Sequence, residues 1–171
     1  MIVRREHAAD EVPVFRAPMR SRDDGIVEGA AVERALTLGV CGVGGRLERV
    51  PSSITEALGA VDTRHGERLA RRLERFAFAP DGAFVWTRDV EGLLWLGRLA
   101  GPWRYDPTVA ADAVDLVHVR PSVWAEVPID ASEVPAAVRA TFARGGRNWQ
   151  RVNDPEVSAR SAALWEQRAG A

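Results

Sequence analysis

The chain contains no lysine: all 23 of its basic side chains are arginines, set against 24 acidic ones for a net charge of −1. That balance excludes a general polycation, because tight non-specific binding to nucleic acid needs several phosphates neutralised at once. Exclusive use of arginine reads first as codon usage in a GC-rich genome. Wherever arginines cluster, though, their planar forks offer bidentate donors to phosphates or base edges. The single cysteine, Cys41, excludes an internal disulfide and suits the cytoplasm. The three histidines, His7, His65 and His118, stand at no ligand spacing, so no metal is expected. No apolar run reaches the length of a membrane span, and Met1–Glu6 lacks the apolar core of a secretory signal. The expectation is a cytoplasmic protein with no membrane partner. GxSxG, HExxH, CxxC and kinase-type patterns are missing, which leaves catalysis without a motif. The glycine-rich run Gly39–Gly45 fits neither GxxxxGKS/T nor GxGxxG, and no cofactor is expected.

What is present suffices for one domain. At 171 residues and 46% hydrophobic content the chain can bury a sizeable core. Residues 1–24 read as an extended segment and a loop, and Gly25–Leu38 as a short helix. Gly39–Gly45 reads as a buried strand whose glycines let another backbone or a ligand come close. Ser53 and Glu56 form a capping box that starts a helix. A second helix is expected over Asp62–Phe76, with Leu69, Leu73 and Phe76 as its apolar stripe. It also carries Arg64, Arg68, Arg71, Arg72 and Arg75, which read as a solvated face, with a phosphate-facing role as the alternative. Phe84–Thr87 and Leu93–Leu96 read as a hairpin across Arg88–Gly92. Asp115–Arg120 is a strand that runs on into Pro121–Trp124. Ser132–Phe142 is a helix ended by Gly145 and Gly146, and Asp154-Pro155 opens a last helix. This order suggests an α+β domain with a small mixed β-barrel and flanking helices.

Two stretches combine aromatics, arginines and turn residues. Gly82–Asp106 holds three of the six tryptophans and the only tyrosine. Trp86 and Trp95 lie on the hairpin and read as packing. Trp103 and Tyr105 follow Gly101-Pro102 beside Arg104 and Asp106. The second stretch, Arg144–Arg151, sets Asn148 and Trp149 among Arg144, Arg147 and Arg151. Such clusters can stack a flat base, flipped or single-stranded, while arginines take phosphates and an amide reads a base edge. An aromatic cage also rewards a methylated group. Core packing is the alternative for each of these rings.

Leu96–Asp106, then Val117–Trp124, then Arg147–Val152 after a helix, resemble a PUA-like module. The superfamily includes EVE, ASCH and YTH domains. The resemblance is strongest to the N-terminal module of Mrr-type restriction proteins, where a "GxIxGxYxY" segment precedes "HxRxVxW". Cys41–Gly45 falls where such domains have a first barrel strand, with glycine here in place of an aromatic. The match spans Gly39 to Val152, which divides the chain into an N-terminal extension, 1–38, packed on the domain, and a PUA-like domain with a C-terminal helix, 39–171. The resemblance implies a non-catalytic module that reads a modified, methylated base of nucleic acid, DNA rather than RNA, in an aromatic pocket. It places Trp103, Tyr105, Asp106, Cys41, Gly42, Val43, Gly44, Asn148 and Trp149 at the base pocket, and Arg104, Arg144, Arg147 and Arg151 at the phosphates. The roughly twenty residues after the match leave no room for a nuclease, so in a restriction context cutting would come from a separate nuclease or effector chain. The competing class is a binder of, or enzyme for, a small molecule or nucleotide metabolite in the same pocket. A third is a structural subunit that uses its aromatic edge for protein contacts.

Overall fold

The computed structural model describes residues 11–169. His7 and the Met1–Glu6 start lie outside the described residues. Seven strands occur in chain order: β1 (Val14–Arg16), β2 (Val40–Val43), β3 (Phe84–Arg88), β4 (Leu94–Leu99), β5 (Arg104–Tyr105), β6 (His118–Trp124) and β7 (Gln150–Arg151). They form one sheet in the order β2-β6-β4-β3-β1-β7, with β5 also paired to β6. The β1–β3 pairing is parallel and the others are antiparallel. No pairing among the described residues joins β2 to β7, so the mixed sheet curls into a half-barrel instead of closing. Six helices flank it: α1 (Ala30–Leu38), α2 (Ile54–His65), α3 (Glu67–Phe78), α4 (Val109–Ala113), α5 (Ala136–Ala143) and α6 (Val157–Ala169). The α+β class and the mixed sheet agree with the sequence reading.

Strand alternation sorts the core into two clusters. Phe15, Val85, Leu99 and Val119 face one side, where Val32 and Ala35 of α1, Val61 of α2 and Leu73 and Phe76 of α3 cover them. Val14, Phe84, Trp86 and Leu96 face the other, beneath Val138 and Phe142 of α5 and Val157 and Leu164 of α6. Residues 14–16 thus lie within the sheet, between β3 and β7, and α1 packs on its first face. The hairpin forms as expected, with Trp86 opposite Leu96. Asp89 closes its turn: the carboxylate accepts from the backbone N–H groups of Glu91 and Leu93 and from the Trp95 indole at 2.9 Å.

The helix expected over 62–76 is a correction. The chain is helical from Ile54 to His65 and again from Glu67, with the break at Gly66. Gly66 sits at φ +99°, a backbone conformation that a residue with a Cβ adopts only under strain. The capping residue is Ser53, whose hydroxyl accepts from Glu56 N at 3.1 Å. At the other end of the α2–α3 pair, the buried Arg120 guanidinium donates to Phe76 O and Ala79 O, to Gly101 O and to Asp81. One cation thereby ties the end of α3 to the Gly101-Pro102 turn.

Candidate nucleic-acid interface

A cleft of about 350 Å³ opens on the first face of the sheet. The segment after β1, the glycine run after β2, the α2–α3 junction and the Arg147–Trp149 loop enclose it. That volume lies within the range of small-ligand sites. Met19, Val43, Leu69 and Trp149 give it apolar walls, Asp115 and Asn148 give it polar partners, and Arg22, Arg72 and Arg147 stand among the arginines that line it.

Each wall has a local cause. Gly42 carries no side chain because a Cβ there would meet His118 O at 2.6 Å across the β2–β6 pairing. At Gly44 a Cβ would stand 2.6 Å from an Asp115 carboxylate oxygen. The run's small size therefore makes room for a neighbouring strand and for Asp115. That carboxylate accepts from Gly45 N at 3.0 Å and from the Ser21 hydroxyl at 2.6 Å. Asp115 itself adopts φ +50°, a backbone position that non-glycine residues seldom take and that clusters at functional sites. The loop that brings Asn148 and Trp149 is held from beneath by Arg16. Its buried guanidinium donates to Thr141 O at 2.7 Å, Gly145 O at 3.0 Å and Asn148 O at 3.2 Å. Burial, followed by the nearby charge of Arg144, lowers the Arg16 pKa from its ordinary value. Trp149 is 5% exposed, stacks on Phe15 with centroids 4.6 Å apart, and meets Phe76 edge-on. Its indole Nε1–H is buried without an acceptor among the described residues.

Of the residues expected at the base pocket, the structure brings Gly42, Val43, Gly44, Asn148 and Trp149 together around this cleft, with Arg147 on its rim. Cys41 lies beneath, fully buried, and burial pushes its thiol pKa up to about 12. Trp103, Tyr105 and Asp106 do not line the cleft. Trp103 donates its indole N–H to His118 Nδ1 at 3.2 Å. That acceptor role puts the imidazole proton on Nε2, which donates to Gly45 O at 2.9 Å. Burial is the main reason the His118 pKa falls to about 4, so the ring is neutral. Tyr105 packs edge-on to the same imidazole, and its hydroxyl exchanges hydrogen bonds with Leu47 N and O. These rings brace the glycine-run wall from behind. Asp106 is buried, accepts from Thr108 N at 3.0 Å and pairs with Arg34 at 3.3 Å. Arg104 lies on β5, Arg151 on β7 and Arg144 at the end of α5, and none of them lines the cleft.

The sequence reading missed Met19, Ser21, Arg22 and Asp115, and the positioning role of Arg16. One signal was available: an arginine inside Val14–Ala17, an otherwise apolar strand. For Asp115 no local signal existed. Among the described residues no group of histidine, cysteine and acidic side chains could hold a metal ion, and no helix is long and apolar enough to cross a membrane.

No protein-family model matches the chain, and no curated protein matches it. Among solved structures it is similar to the YTH domain of the Zygosaccharomyces rouxii MRB1 protein, crystallised with N6-methyladenosine RNA. The two share 13% identity at a TM-score of 0.43, over 92% of this chain and 87% of that one. At that level of likeness the site is read from its own geometry.

Proposed function

We propose that this chain is a non-catalytic nucleic-acid-binding module that holds one base, methylated by preference, in the cleft on the first face of the sheet. The observation that carries this reading is the lining itself. Apolar walls from Met19, Val43, Leu69 and Trp149 suit the faces of a flat ring, and Asp115 and Asn148 offer an acceptor and an amide to its edge. The arginines suit the phosphates that remain outside. Among the described residues Trp149 is the one indole, phenol or phenyl ring in the lining, so the apolar walls of the pocket proposed here are largely aliphatic. A methyl group placed against those walls would gain about 0.8 kcal/mol by burial, roughly a fourfold preference over the unmethylated base. DNA as the polymer, a restriction context and a separate nuclease or effector chain follow from the resemblance in residues 96–124 and belong to the same proposal. A mononucleotide would also suit a cleft of this volume, which keeps a nucleotide-metabolite binder as the second reading.

The test is equilibrium binding of short DNA and RNA strands and duplexes, each with and without a methylated base. N6-methyladenosine RNA is one arm. Asn148→Ala is expected to weaken binding about tenfold while leaving the unfolding midpoint in place. Binding of no oligonucleotide would sink the reading. Equal affinity for a free mononucleotide and a longer strand would favour the second one.

A further inference from the structure

Four arginines near the cleft have no acidic partner among the described residues. Of the six arginines that line it, four are paired: Arg46 with Asp23, Arg64 with Glu48, Arg147 with Asp24 and, more loosely, Arg20 with Glu28. Arg22, Arg68, Arg72 and Arg75 make no such pair. Three of the four come from α3, where steps of four and three residues put side chains on one face. The helix has three stripes. Leu69, Leu73 and Phe76 turn into the core or the cleft. Glu67, Arg71 and Glu74 form a second row, in which Arg71 pairs with Glu67. Arg68, Arg72 and Arg75 form the third, all cationic.

Arg72 is half-buried and lines the cleft together with Arg22. Its pKa is lowered first by burial and then by the charges of Arg22, Arg68 and Arg75, so Arg72 lies within reach of the other three guanidiniums. Gathering four like charges with no counter-charge is unfavourable in the free protein, and an anion placed among them relieves it. Arg72, in the middle of the row, lines the cleft, and Arg68 and Arg75 flank it one turn to either side along α3.

We infer that Arg22, Arg68, Arg72 and Arg75 form a phosphate-binding track for the phosphodiester backbone of a single strand whose base occupies the cleft. This rests on the proposed reading of the cleft as a base pocket. The track holds the strand along α3, whereas Arg104 and Arg151 lie on other elements. Guanidiniums suit the role because their forked donors meet phosphate oxygens in pairs. A free phosphate or a mononucleotide offers the same chemistry, and strand length separates these sources.

The experiment compares the full chain with Arg68→Ala/Arg75→Ala, a variant that leaves the cleft lining intact and whose new residues are good helix formers. Binding of a nucleoside, the mononucleotide, the trinucleotide and a nine-nucleotide strand of the same base is measured at several salt concentrations. The variant is expected to bind the nine-nucleotide strand at least tenfold more weakly and the nucleoside equally well. Its log–log salt slope should be shallower by about 0.7 for each lost contact. Unchanged affinity and slope on the long strand would overturn the track while leaving the base pocket standing. A loss confined to the mononucleotide would overturn the strand and leave a free-phosphate site. The pocket reading fails separately: Asn148→Ala would then leave long-strand binding intact while the arginine variant still flattens the slope.

Discussion

On one face of the sheet Trp86 is fully buried and its indole donates to Ser161 of α6 at 3.1 Å. On the other, Trp149 is almost as buried, yet its indole N–H has no acceptor. Thr87, which shares the parity of Val85 on the same face as Trp149, is likewise buried with an unpaired hydroxyl. Both buried polar atoms left unpaired among the described residues therefore belong to the face that carries the cleft. The α5–α6 face is finished as a core, with Trp165 edge-on to Phe84. The α1–α3 face is interrupted by the Asp115 carboxylate, the Asn148 amide and the arginines of the cleft. Buried polar groups without partners are costly and persist where something other than stability retains them.

Four measurements would break or sharpen that contrast. Trp86→Ala removes the largest fully buried side chain of the closed face and should cost about 4 kcal/mol in a denaturant titration, with no change in ligand affinity once folded. A loss of affinity in the folded variant would mean that the two faces are coupled.

The next effect is one of pH, at the cleft wall. His118 has a folded-state pKa of about 4, below the 6.5 of the free side chain, so the unfolded chain takes up the proton first. Its contribution is complete above pH 6.5 and drains as pH falls towards 4, by about 3 kcal/mol in all. Urea midpoints at pH 7, 5.5 and 4.5 would follow this loss, and His118→Asn should flatten that part of the profile.

Gly44→Ala should cost about 2 kcal/mol and weaken oligonucleotide binding, because its Cβ meets the Asp115 carboxylate that Ser21 and Gly45 hold in place. Gly59→Ala is the control. With open space around it in the middle of α2, that substitution should stabilise by about 0.5–1 kcal/mol and leave binding unchanged. If Gly44→Ala behaves like the control, the glycine run does not shape the site. The smallest effect is Thr87→Val, which removes the unpaired hydroxyl at nearly constant volume. A gain of up to about 1 kcal/mol is expected by thermal or chemical unfolding. A loss would place a partner on that hydroxyl and weaken the contrast between the faces.

The legible parts were those with short-range causes. The hairpin announced itself through two aromatic and aliphatic runs around Asp89–Gly92, and Asp89 does make the local hydrogen bonds that such a turn invites. The Ser53 cap was readable for the same reason. The break at Gly66 was not, because a lone glycine is tolerated inside a helical pattern and its φ of +99° shows only in the folded backbone. Trp103 and Tyr105 were noticed as aromatics beside charge. Their roles depend on His118 and Leu47, residues 15 and 58 positions away.

Composition, hydrophobic period and turn chemistry were enough to place most of the elements, to set the α+β class and to draw notice to the Arg147–Trp149 loop. They act over a few residues and survive in any fold that contains those residues. Which side chains share the cleft was decided only by tertiary structure. Asp115 accepts from Ser21 and Gly45, residues 94 and 70 positions away, and Arg16 supports the Asn148 loop from 132 positions away. Contacts of that separation arise when the sheet assembles β1, β2 and β6 and the helices close over it. No local pattern encodes them, because the energy that selects them is the burial of both faces of the whole sheet.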